Sequence, residues 1–107
     1  MEIWPHIQNL AGRTLKTLDR GNAFDILLVG SSSVVVRPHA SNIERSIERK
    51  AFERTFQELA IRGELSRAEI QKRYSLFNPA YVASILAQIP GVSVLRKPIR
   101  LFYRQPK

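Results

Sequence analysis

From residue 14 the chain alternates short apolar runs with clusters of turn-forming residues, the pattern of strands joined by tight connections. Thr14-Leu15-Lys16-Thr17-Leu18 predicts a first strand, since it is short, rich in Thr and stopped by Asp19-Arg20-Gly21-Asn22. The runs 24–29 and 34–37 are β-branched or apolar and flank Gly30-Ser31-Ser32-Ser33, so they predict an antiparallel hairpin that Pro38 ends. Residues 43–47 read two ways. Ile43 and Ile47 suit one face of a strand, whereas Ser41 with Glu44 three positions on fits a helix capping box. We adopt the strand, which makes residues 1–47 an antiparallel β-meander of three or four strands, curled towards a small open barrel.

Near Arg49 the period changes. Phe52, Phe56, Leu59 and Ala60 recur at helical spacing with Glu53, Arg54, Gln57 and Glu58 on other faces, which predicts an amphipathic helix closed by Gly63. Ser66-Arg67-Ala68-Glu69 is a capping box and opens a second, short helix through Tyr74. Asn78-Pro79 sets a favoured N-cap before the residue best tolerated at the first helical position. Val82, Ile85, Leu86 and Ile89 then form one apolar stripe until Pro90-Gly91 stops this third helix. The runs 92–95 and 99–103, joined by Arg96-Lys97-Pro98, predict a C-terminal hairpin. No internal repeat or low-complexity linker interrupts the chain. Its 107 residues suit one compact domain, with a β-meander subregion at 1–47 and a helical subregion with its hairpin at 48–107.

Helix, short capped helix, turn, longer helix and β-hairpin follow one another as in a winged helix-turn-helix, and residues 49–104 resemble that superfamily at the level of pattern. Three segments carry the resemblance: Gly63-Glu64-Leu65-Ser66-Arg67-Ala68-Glu69-Ile70 at the opening of the second helix, residues 78–89 in the place of the recognition helix, and Pro90-Gly91-Val92 leading into a wing. The resemblance implies an α+β fold in which the N-terminal meander precedes a three-helix winged-helix-like unit with a C-terminal β-hairpin. It leaves the N-terminal strands outside the module. It also departs from a base-reading protein at the third helix, which away from its apolar stripe offers Ala80, Ala83, Ser84, Ala87 and Gln88, with Tyr81 at the boundary and no charge. Base edges are read by Arg, Lys, Asn and Gln, so such a helix predicts weak sequence specificity.

Charge sharpens this picture. The formal charge is +8 with a pI near 10.6, yet residues 1–69 are nearly balanced while residues 70–107 hold seven bases and no acid. The seven are Lys72, Arg73, Arg96, Lys97, Arg100, Arg104 and Lys107. A solvated surface usually mixes signs, so an acid-free C-terminal third points to an anionic partner. Alternation in 99–104 predicts Ile99, Leu101 and Tyr103 facing inward, with Arg100, Phe102 and Arg104 facing outward. Arg96 and Lys97 fall at the hairpin tip, from which a wing touches phosphates or enters a minor groove, and Lys107 extends the patch. The competing explanation is that Arg100 and Arg104 guard an edge strand and that Phe102 is core. Lys72 and Arg73 rank second as ligands, because cations at a helix C-terminus also favour its dipole. Phe102 and Tyr81 are stacking candidates. Tyr74, Phe77 and Tyr81 flank the turn between the second and third helices and are able to stack on bases, although sealing the core is the expected role. Trp4 is expected to anchor the N-terminus in the core.

Catalytic chemistry has little footing. His6 and His39 stand in no metal or nucleophile motif and read as surface or structural residues. Asp25, Glu48 and Lys50 supply the two acids and a base of a metal-dependent nuclease only loosely. Cysteine is absent, which removes disulfides and thiolate metal sites and fits a reducing, cytoplasmic setting. The N-terminus lacks the basic and apolar order of a secretory signal and reads as unprocessed, and no run approaches a membrane span. The expectation is therefore a small basic protein without cofactor or metal, not an enzyme, that binds nucleic acid, DNA before RNA, mainly through backbone contacts from a C-terminal wing. The alternative is a protein-interaction module, a small inhibitor or adaptor. Its basic face would cover an acidic or nucleic-acid-binding surface of a larger protein complex, with the alanine-rich third helix as its docking face.

Overall fold

In the computed structural model, residues 1–75 and 77–105 are described. Four strands, β1 (Thr14–Lys16), β2 (Ala23–Val29), β3 (Ser33–Pro38) and β4 (Arg45–Glu48), pair antiparallel in sequence order. Period-two alternation sends Phe24, Ile26, Val34 and Val36 into the core, while Asp25, Leu27, Val35 and Arg37 stay half-buried on the outer side. A bulge between Ile26 and Leu28 adds one residue to β2, turns Leu28 outward at 60% exposure and brings Val29 opposite Val34. The sheet ends at β1 and β4 and stays open rather than closing as a barrel. The strand expected at 43–47 lies at Arg45–Glu48, and Ser41 Oγ accepts from the Ile43 amide in a local turn instead of capping a helix. The first strand stops at Lys16, because Thr17 already belongs to the turn: its Oγ1 accepts from the Asn22 amide at 3.0 Å.

Before this sheet stands a short helix that the apolar pattern did not announce, α1 (Trp4–Gln8), with Pro5 in its first turn. The helix seats Trp4 as the expected anchor. Its indole Nε1 donates to the Gly30 carbonyl at 2.9 Å, its ring meets Phe52 at 6.1 Å between centroids, and the Arg49 guanidinium lies 4.7 Å above it.

The second half runs α2 (Arg49–Arg62), β5 (Glu64–Ser66), α3 (Arg67–Arg73), α4 (Pro79–Leu86), β6 (Val92–Arg96) and β7 (Ile99–Tyr103). Gly63 closes α2 in the left-handed region, φ 84°, and its amide donates to the Leu59 carbonyl. Ser66 and Glu69 form the full reciprocal capping box of α3. Asn78 precedes Pro79 as expected, yet its side chain makes no capping bond. α4 ends at Leu86, short of the expected Ile89. Tight turns replace its last part, with the Gln88 and Ile89 amides donating to Ile85 and Leu86, because a proline at 90 disfavours helical backbone at 89. β5 was not foreseen; it joins the C-terminal hairpin in a second antiparallel sheet ordered β5-β7-β6.

One apolar cluster spans both halves: Ile3, Ile7, Phe24, Val36, Phe52, Leu59, Ile70, Ile85 and Leu101 all belong to it. The Phe24 ring meets Tyr81 edge-on at 5.0 Å and ties the first sheet to α4. α4 is enclosed, packed against α3, α2 and β1. Residues 82–86 are buried consecutively, Ala83 at 1% exposure, and the Ser84 hydroxyl satisfies itself on the Ala80 carbonyl at 2.7 Å. The open small-residue face expected at Ala83 and Ser84 is therefore absent, since both are buried, while Ala87 stays half-buried and Gln88 is exposed. Among the described residues no helix is long and apolar enough to cross a membrane.

Candidate functional site

The wing places its cations unevenly. β7 is the middle strand of its sheet, so Arg100 and Arg104 do not guard an edge. On the outer side of that sheet Arg100 stands opposite Ser66 and Leu95, and Phe102 opposite Glu64 and Ser93. Arg100 Nη1 lies 3.7 Å from Glu64 Oε2, so a carboxylate from the earlier part of the chain partly neutralises it. Phe102 is half-buried and not core, while inward-facing Tyr103 meets Phe56 edge-on at 4.9 Å. Arg104 is exposed just beyond β7, and Lys107 lies outside the described residues.

At the hairpin tip Arg96 and Lys97 are both exposed. The tip does not stand alone: Arg96 Nη1 donates to the Leu18 carbonyl at 3.0 Å, across 78 positions of sequence, and holds the wing against the β1–β2 turn. Between them opens a cavity of about 660 Å³ lined by Asp19, Ser66, Arg67, Arg96, Lys97 and Pro98, among others. A second hollow of about 340 Å³ is lined by Arg20, Arg45, Gln71, Phe77, Asn78 and Tyr81. Asp19 and Arg67 border both, so the two hollows are neighbours along one groove. Five cations, Arg20, Arg45, Arg67, Arg96 and Lys97, face a single carboxylate, a formal excess of four. Arg67 Nε lies 3.3 Å from Asp19 Oδ2, but its N–H finds no well-aligned acceptor, so the pair is electrostatic rather than hydrogen-bonded. Among the described residues the other four cations have no carboxylate within 4.0 Å.

The remaining candidates disperse. Lys72 and Arg73 sit exposed in the last turn of α3 and border neither hollow. Tyr81 is half-buried, with Phe24 packed edge-on against it and the Arg45 guanidinium 5.8 Å from its ring centre, so one ring face is already engaged. Tyr74 packs on the core as expected. Phe77 does not: it is 80% exposed at the rim of the smaller hollow, which overturns the core role expected for it. The α3–α4 turn is sealed instead by Ile70, Pro79 and Val82, all buried.

Arg20, Arg45 and Arg67 were missed by sequence reasoning, and no linear signal marks them, since each has acids nearby in the chain and only folding brings it to the groove. The loose nuclease pattern does not assemble. Asp25 pairs with Arg37 on β3 and Glu48 with Ser33, four positions away along that strand, which separates the two acids by roughly 13 Å in the strand direction alone. Asp25 is also engaged: hydrogen bonds from Thr14 at 2.6 Å and His39 at 2.9 Å, then the charges of His39 and Arg37, hold its carboxyl below the ordinary carboxylate range. Among the described residues no group of three His, Cys, Asp or Glu side chains converges as a metal site. Compared with known proteins, the chain matches no family model, no curated protein and no solved structure.

Proposed function

We propose that this protein is a non-enzymatic, cytoplasmic nucleic-acid-binding module, for DNA before RNA, and that residues 49–104 form a winged-helix unit. The order α2-β5-α3-α4-β6-β7 with strands arranged β5-β7-β6 supports the winged-helix reading, since a third short strand completes the sheet that carries the wing. The observation that carries the functional reading is the groove running from the wing tip, where Arg96, Lys97 and Arg67 line one hollow and Arg67, Arg20 and Arg45 the next, around a single carboxylate. Such an excess attracts a phosphate backbone and releases its counterions. The contacts are to backbone rather than to base edges, because the largely buried α4 presents no polar face to a major groove. The adaptor reading loses Ala83 and Ser84, both buried, from its docking face.

Fluorescence anisotropy with a 20-base-pair DNA duplex across a salt series tests this. Neutralising about four to six phosphates gives a slope of log affinity against log salt of roughly −4 to −5. Replacing Arg96 and Lys97 together by alanine is expected to weaken binding and make the slope shallower by about 2. If neither duplex nor single strands bind at low salt, the reading fails.

A further inference from the structure

The groove has an aromatic end that backbone contacts leave unused. Phe77, its ring 80% exposed, shares the smaller hollow with the two cations Arg20 and Arg45 and with the amide side chains of Gln71 and Asn78. Asn78 Oδ1 has no hydrogen-bond partner. A large ring left in water beside arginines matches the composition of stacking platforms, in which cations follow the phosphates and the ring takes a base face. A paired base inside a duplex has both faces covered by its neighbours. An unpaired nucleotide presents a free face to such a ring without the cost of unstacking a duplex step, and the enclosed α4 offers no competing duplex-reading surface.

Resting on the nucleic-acid reading above, we infer that the groove takes an unpaired strand, with phosphates along Arg96, Arg67 and Arg20 and a base stacked on Phe77. The neighbouring amides offer donor and acceptor groups to the base edge. These contacts are tolerant of sequence, since every base has a π-face.

The test compares dT12, rU12 and a 12-base-pair DNA duplex by anisotropy with the full chain and the variants Phe77→Ala, Phe77→Tyr and Arg20→Ala. Phe77 is exposed, so its variants are expected to melt with the parent, which circular dichroism checks. Phe77→Ala should weaken single-strand binding by roughly 5- to 100-fold without changing the salt slope, and Phe77→Tyr should restore it. Arg20→Ala should weaken binding and make the slope shallower by about 0.7. Tighter binding of dT12 or of rU12 assigns the strand to DNA or RNA, and either supports the inference. Should single strands bind no better than the duplex, with Phe77→Ala leaving both unchanged while the Arg96 and Lys97 variant still loses duplex binding, the inference falls and the wing reading stands. If sedimentation shows the chain self-associating through Phe77 and oligonucleotide affinity is indifferent to the ring, it is a protein contact and the inference also falls. Loss of all nucleic-acid binding in the parent chain removes both.

Discussion

Glu69 is fixed by three contacts that come from two different levels of the fold. Its carboxylate accepts from the Ser66 amide and hydroxyl, which lie three positions back, and from the Arg62 guanidinium at the end of the preceding helix. Arg62 first, then the Ser66 amide, hold the carboxyl at about 2 against an ordinary 4.5. A carboxyl depressed on folding stabilises fully above its unfolded value and loses that contribution as pH falls through the folded one. Urea unfolding of the parent and Glu69→Gln should therefore differ at pH 6 and converge as pH drops from 4.5 towards 2. Equal differences at both ends would show that the ion pair does not contribute. Removing the cap oxygen by Ser66→Ala is expected to cost about 1 kcal/mol. The capping box was legible because both partners lie within one helical turn. The exposure of Phe77 was not, since composition marks an aromatic beside a turn as a sealing residue and only the packing of Ile70, Pro79 and Val82 makes it superfluous there.

Elements were readable where the apolar pattern was long enough to repeat. β2 and β3 are amphipathic over six or seven residues and α2 over fourteen, so the pattern located them within a residue or two. β5 has three residues and a single buried one, Leu65, and its partner strand lies some 36 positions on, so no local period records it. The surroundings of α4 were misread for a related reason. Alanine and serine are compatible with either exposure or close packing, and the choice belongs to what lies opposite. With Ala83 buried, Ala83→Glu overfills a packed interface and buries an unpaired charge. It is expected to cost at least about 3 kcal/mol in a denaturant titration. A near-neutral result would return that side of α4 to the surface.

Across the whole molecule, the apolar cluster joins both sheets, and Phe24 stands where the meander meets α4. Phe24→Ala is expected to cost about 3–5 kcal/mol and to shift unfolding seen by Trp4 fluorescence and by far-ultraviolet circular dichroism together. Separate midpoints would mean that the halves unfold independently. Charge follows the same division between what is local and what is assembled. The acid-free C-terminal third is a property of order along the chain, and its cations Arg96 and Lys97 lie exposed at the hairpin tip. It overstated Arg100, which Glu64 meets across the sheet, and it missed Arg20, Arg45 and Arg67 in a part of the chain whose charges nearly cancel. Linear cancellation fails because it pairs neighbours in sequence, whereas the Coulomb energy depends on distance in space. By itself, then, the sequence determined the mixed α+β class, the hairpins, the capped helices and the sign of the surface, all governed by contacts within a few residues. The tertiary structure alone decided that α4 is enclosed, that β5 pairs with β7 and that cations from both halves line one groove, since each depends on segments tens of positions apart meeting only when the common core forms.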